Sequence, residues 1–220
     1  MMHDDENVPD PVRRRMLRTI AAAPLIIAFP SILTACREGD ARDVADGSGN
    51  AGTVAPTLAC ADDDDDDPTA AQTEGPFFKT SSPKRTSLIE AGTTGTRLSL
   101  VGLVMTRSCK PVPNALIDFW QADDSGEYDN VTFRLRGHQF ASATATYRLD
   151  TIVPGLYPGR TRHIHVKVQA PNQRPLTTQL YFPDEAANTR DRIFAESLLV
   201  TMAGSSDPRQ AKFNFVLDLP

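Results

Sequence analysis

The stretch GLYPGRTRHIHVKVQA (residues 155–170) opens as a turn and closes as a strand. Pro154-Gly155 and Pro158-Gly159 punctuate its first half. From His163 onward the period is two, so His163 and His165 project to one face and Ile164 to the other. The same period recurs in RLSLVGLVMT (97–106), ALIDFWQA (115–122), TATYRLDTI (144–152), LTTQLYF (176–182) and FNFVLDL (213–219), all carrying β-branched or aromatic residues. Pro, Gly, Asn and Asp separate them at a spacing that predicts a mostly β chain folded as an antiparallel β-sandwich. Only EAANTRDRIFAESLLVTM (185–202) has helical composition, enough for one or two short turns between the last strands.

At 220 residues, 40% hydrophobic and 23% charged, the chain is long enough for one ordinary domain with extras. The formal charge is -5, but six negative charges fall in the run Asp62 to Asp67, and with those set aside the rest carries +1. No strongly charged partner is implied, and no helix-turn-helix, RNA-binding or zinc-finger spacing occurs, so nucleic-acid binding is set aside.

Residues 12–36, VRRRMLRTIAAAPLIIAFPSILTAC, show the charged, apolar, small-residue order of an export signal. Arg13-Arg14 resembles a twin-arginine signal, and Leu33-Thr34-Ala35-Cys36 resembles a lipoprotein cleavage box in which Cys36 takes the lipid. The 17 uncharged residues from Thr19 to Ala35, interrupted by Pro24 and Pro30, are short for a bilayer core of about 30 Å. We therefore expect an export signal over 1–35 and a cell-envelope location, with membrane contact only through signal or lipid. Residues 36–70 read as a flexible acidic linker and 71–220 as the folded domain. Cys60 and Cys109 are a candidate disulfide in an oxidising compartment.

Two imidazoles side by side on one strand face suit a metal ion, although His-x-His also occurs on surface strands. Of four histidines, His3 lies in the export region and His138 alone is spare, so a three-histidine zinc site is hard to assemble. A metal-bound glutamate shortly after the pair is excluded by Val166, Lys167, Val168 and Gln169. Tyrosine is the remaining donor. Its phenol, with a pKa of about 10, ligates well only to a strong Lewis acid such as ferric iron. Tyr157, in the turn before His163, and Tyr128, in the polar loop DDSGEYDN (123–130), are available. Two histidines and two tyrosines are thus permitted by the sequence, beside the plainer alternative of a wet strand end.

Several linked segments resemble the intradiol ring-cleavage dioxygenases: TEGPFF (73–78), CKPVPNALIDFWQADDSGEYDN (109–130), FRLRGHQ (133–139), TIVPGLYPGRTRHIHVKV (151–168) and LTTQLYF (176–182). The resemblance implies a β-sandwich holding non-haem Fe(3+) through Tyr128, Tyr157, His163 and His165, acting on a catechol-type substrate and O2 to give a muconate-type diacid. It further implies that Tyr157 lets go and takes a proton, that Arg160 is the cation over the ring, and that Gln179, Gly75, Pro76 and Phe77 adjoin the substrate. Arg162 is expected to point elsewhere, Tyr147 and Tyr181 to pack in the core, and His138 to cap a loop. The helical dimerisation region of the cytoplasmic catechol enzymes has no counterpart ahead of TEGPFF, so the resemblance leaves a homodimer open. A non-catalytic sandwich module on a lipoprotein stalk is the competing reading.

Overall fold

The computed structural model describes residues 67–219. Nine strands run in order: β1 (Arg97–Thr106), β2 (Leu116–Gln121), β3 (Arg136–Phe140), β4 (Thr146–Ile152), β5 (His163–Gln169), β6 (Leu176–Tyr181), β7 (Thr201–Ala203), β8 (Arg209–Lys212) and β9 (Phe215–Leu217). Two 3-10 turns, Asn188–Arg190 and Glu196–Leu198, lie between β6 and β7, where helical composition predicts them. One sheet has the order β3-β2-β5-β6 and is antiparallel throughout. In the other, β1 pairs antiparallel with β4 but parallel with β8 and β9, so the sandwich is mixed at that strand.

The hydrophobic core draws on both sheets. Leu98 and Leu100 of β1, Phe119 of β2, Ile164 and Val166 of β5, and Leu180 of β6 are all essentially inaccessible to water. Each such aliphatic side chain contributes about 1.5–3 kcal/mol by leaving water. Because every second residue faces this core, the alternate residues of β2, β5 and β6 must face the outer side of the four-stranded sheet. That outer side carries Trp120, His163, His165, Gln179 and Tyr181, and loops bury it.

Thr69 N donates to Val216 O at 2.9 Å and Thr178 Oγ1 donates to Ala70 O at 2.7 Å. The domain therefore reaches back to Thr69, into the 36–70 segment that composition alone assigns to the linker. The expected export signal, the lipidation site Cys36, Cys60 and the six-aspartate run up to Asp66 lie outside the described residues. Cys109 is disulfide-bonded.

Candidate metal centre and substrate site

Strand pairing sets one row of the site. Arg136 of β3, Trp120 of β2, His165 of β5 and Gln179 of β6 stand directly opposite one another across four strands, and His163 stands opposite Tyr181 in the next row. Trp120 stacks on the His165 ring at 4.9 Å and 6° between planes. Above this row passes the 73–78 segment. An ideal Cβ built on Gly75, at φ +69°, would lie 3.3 Å from His165 Cε1, so only a bare backbone fits there comfortably. Phe77 stacks on Tyr128 at 4.4 Å and meets Tyr157 edge-on at 5.5 Å, and Phe78 packs on Trp120. Pro76 is exposed beside them.

Two loops bring in the tyrosines. A Cβ on Gly126 would come within 2.2 Å of Leu156 O, and one on Gly155 within 2.4 Å of Gly126 N, so the loop before Tyr128 and the turn before Tyr157 touch backbone to backbone. Gly155 N donates to Asp123 O at 2.7 Å across this junction. The rings of Tyr128 and Tyr157 consequently lie 5.7 Å apart, edge to face. The Asp129 carboxylate accepts the amides of Val131, Thr132 and Arg134 and closes the Tyr128 loop. Arg136, 1% exposed, donates to the Asp129 carbonyl and to the Phe77 carbonyl, tying that loop to the 73–78 segment.

Three donor atoms converge. Tyr128 Oη lies 3.0 Å from His163 Nε2, which lies 3.2 Å from His165 Nε2. His163 Nδ1 donates to Thr161 O at 2.7 Å, so its Nε2 carries the lone pair and faces the common point. His165 Nδ1 is buried without a hydrogen-bond partner among the described residues, and its ring is held by the Trp120 stack instead. Burial lowers the His163 pKa to about 4, and burial together with the neighbouring His163 and Arg160 lowers that of His165 to about 2. Burial pushes the Tyr128 phenol up. The cage is therefore neutral at pH 7, two imidazoles and a phenol, and a cation strong enough to displace the phenol proton would be welcome in it. Among the described residues no group of three or more His, Cys, Asp or Glu could hold a metal, and the oxygen donor beside the two imidazoles is the Tyr128 phenol. Tyr128, His163 and His165, with Tyr157 beside them, fit ferric iron by the hardness and basicity of their donors.

Arg160 is placed by three neighbours. Its Nε donates to Asp191 Oδ2 at 2.8 Å, and its Nη2 donates to Gln179 Oε1 at 2.7 Å and lies 3.3 Å from the Tyr181 hydroxyl. Gln179 Nε2 in turn donates to Thr73 O at 2.9 Å, linking β6 to the covering segment. Arg162 does turn away: it pairs with Glu185 at 2.8 Å and donates to Pro154 O, which braces the turn before Tyr157. His138 donates through Nδ1 to Ser82 O, a loop contact as expected.

Two residues escaped the sequence reading. Tyr147 packs in the core, but Tyr181 does more than pack. Its hydroxyl lies 2.6 Å from Gln72 Oε1 and 3.1 Å from Ile193 O as well as near Arg160, and burial pushes its pKa up to about 12. Asp191 stayed unseen because a loop aspartate has no periodicity. Burial opposes its ionisation, yet the Thr161 and Ile193 amides and the Arg160 guanidinium outweigh that and hold its carboxyl below the usual range. A shallow cavity of about 410 Å³ opens beside Leu156, Tyr157, Arg160 and Asp191.

The family model Dioxygenase_C, described as dioxygenase, matches residues 73–219. Hydroxyquinol 1,2-dioxygenase of Nocardioides simplex is 29% identical over 162 residues, covering 63% of this chain and 55% of that protein. The dioxygenase domain of a dioxygenase carbohydrate-binding protein fusion from Streptomyces sp. SirexAA-E is 54% identical in sequence. It superposes with a TM-score of 0.68 over 70% of this chain and 100% of that one. Hydroxyquinol 1,2-dioxygenase from Pseudomonas putida DLL-E4 superposes at 0.62 with 26% identity, over 70% of this chain and 67% of that one. The chain spans little more than half the length of the Nocardioides simplex and Acinetobacter baylyi enzymes it matches in sequence.

Proposed function

Because the chain belongs to the intradiol ring-cleaving dioxygenase family, we propose that it inserts both atoms of O2 between the two hydroxyl-bearing carbons of a catechol-type aromatic, giving a muconate-type diacid. The observation that carries this reading is the convergence of Tyr128 Oη, His163 Nε2 and His165 Nε2 beside Tyr157 and beneath the backbone of Gly75. Tyr128, Tyr157, His163 and His165 would hold ferric iron, which would supply the Lewis acidity that favours the catechol dianion and makes its ring electron-rich toward O2. Catechol plus O2 accounts for every atom of the diacid, so no external reductant enters.

The protein's own groups divide the remaining work. Tyr157, half-buried on a turn, is the donor placed to swing and take a substrate proton at Oη, whereas Tyr128 is held under the Phe77 ring. The guanidinium of Arg160, fixed by Asp191 and Gln179, stabilises negative charge that develops on the ring in a site of low dielectric. Gly75 and Phe77 cover the histidine row and exclude water from it. The resemblance of residues 1–35 to an export signal, with Cys36 as the lipid anchor, supports a reaction on the outer side of the cytoplasmic membrane.

The test is colour and turnover in one preparation. Protein loaded with Fe(III) should be reddish from tyrosinate charge transfer and should convert catechol to muconate. Tyr157→Phe and His165→Ala should each reduce that rate by about a hundredfold. A protein that stays colourless and inert after ferric loading would overturn the reading in favour of a non-catalytic binding module.

A further inference from the structure

Thr161 stands between the arginine and the first histidine, is 0% exposed, and has every polar group engaged. Its N–H donates to Asp191 Oδ2 at 2.9 Å, its hydroxyl donates to Asn188 Oδ1 at 2.6 Å, and its carbonyl accepts His163 Nδ1–H at 2.7 Å. The same Asp191 Oδ2 accepts Arg160 Nε at 2.8 Å, while Oδ1 accepts the Ile193 amide at 3.1 Å. The Asp191 side chain is 2% exposed. One carboxylate, about thirty residues downstream, therefore touches the arginine directly and the histidine through the backbone of a single residue, Thr161.

We propose that Asp191 is a positioning residue that fixes Arg160 and His163 together, the first by an ion pair and the second through the Thr161 backbone. The proposal rests on the reading of Arg160 as the substrate-facing cation and of His163 as a metal ligand. An arginine has four side-chain torsions and needs opposing contacts to hold one pose; here Asp191 takes Nε and Gln179 takes Nη2. The His163 ring is set by a bond to the Thr161 carbonyl, and Thr161 is the residue whose N–H Asp191 holds; releasing that N–H frees the Thr161 backbone torsions that aim the carbonyl. Removing the carboxylate leaves a fully buried amide without an acceptor and a half-buried guanidinium without its counter-charge, and both then seek other partners. A carboxylate serving only to hold the 187–193 segment would have no need to contact Arg160.

An asparagine could keep its oxygen at the Oδ2 position and still accept both Arg160 Nε and the Thr161 amide, so the deciding variant is Asp191→Ala, which removes the shared acceptor. In the ferric-loaded protein this variant should lower kcat for catechol ten- to hundredfold and release iron to EDTA several-fold faster. In an Arg160→Ala background it should lower kcat no further, while still speeding iron release. In the metal-free protein the Thr161 amide hydrogen should exchange at least tenfold faster. Equal proportional losses of kcat in the two backgrounds would overturn the coupling to Arg160. Unchanged iron release together with unchanged Thr161 exchange would overturn the coupling to His163. Should Asp191→Ala not fold, Asp191→Glu, which shifts the carboxylate by one methylene, carries the same cycle with the same deciding outcomes. If the unsubstituted protein neither holds iron nor turns over catechol, the proposed function fails, and the amide exchange alone still decides whether Asp191 fixes Thr161.

Discussion

His163 and His165 stand two residues apart on a strand, whereas Tyr128 and Tyr157 stand on separate loops, and the two pairs owe their positions to different forces. The histidines are placed by ladder hydrogen bonds and by burial of Ile164 and Val166 on the opposite face. The tyrosines are placed by absences: Gly126 and Gly155 lack the Cβ atoms that would push the two loops apart. The strand half is thus braced by the whole core, and the loop half by a junction of backbone against backbone and a few polar ties from Asp129, Arg136 and Arg162. A disturbance on the strand side should spread into global stability, while one at the loop junction should stay local and fall on the chemistry.

The largest expected effect tests the strand side. Trp120 is 1% exposed and stacks on His165, so Trp120→Ala should cost about 3–5 kcal/mol in denaturant unfolding. Gly126→Ala should cost less, about 1–3 kcal/mol, because strain at φ +90° and the contact with Leu156 O can be relieved by displacing the turn. That displacement separates Tyr128 from Tyr157, so catechol turnover should fall further in Gly126→Ala than its stability loss suggests. If the glycine variant unfolds as readily as the tryptophan variant, the loop junction belongs to the core and the contrast collapses.

The last effect is one of pH and concerns the strand side alone. Burial holds His163 at about 4 in the folded protein, against about 6.5 for an unfolded histidine. Between those values the unfolded chain binds the proton and the folded one does not. Stability of the metal-free protein is therefore complete above about pH 6.5 and drains as the pH falls toward 4. Melting temperatures over that window should decline, and His163→Asn should make the decline shallower, leaving the part that His165 contributes. An unaltered slope in that variant would mean that His163 does not govern it.

The two halves also differ in how far the sequence reveals them. β1 coincides residue for residue with RLSLVGLVMT, and β5 begins at His163 as alternation predicts, because a period of two is a direct image of a half-buried strand. β3, RGHQF, is illegible by that rule. It carries a buried arginine, and its Gly137 leaves room for Arg85 and Leu88, with a Cβ there falling 2.7 Å from Arg85 Cγ. β7 and β8 are three and four residues long with no alternation, and are held by their neighbours. Tyr128 and Tyr157 could be suggested by donor chemistry, but their meeting depends on loop contacts that no periodicity encodes. Alternation gave Tyr181 a face without giving it a partner, which is why its hydroxyl network stayed hidden. Asp191 lacked even that.

The row Arg136, Trp120, His165 and Gln179 also makes strand register chemically visible. A slip of β5 by a single residue against β2 and β6 would turn both imidazoles into the core and set Ile164 and Val166 under Gly75. Correct pairing and correct chemistry are then one event, seen from two sides. Refolding followed by the rise of a tyrosinate-to-iron absorption would time the moment at which β5 finds its neighbours.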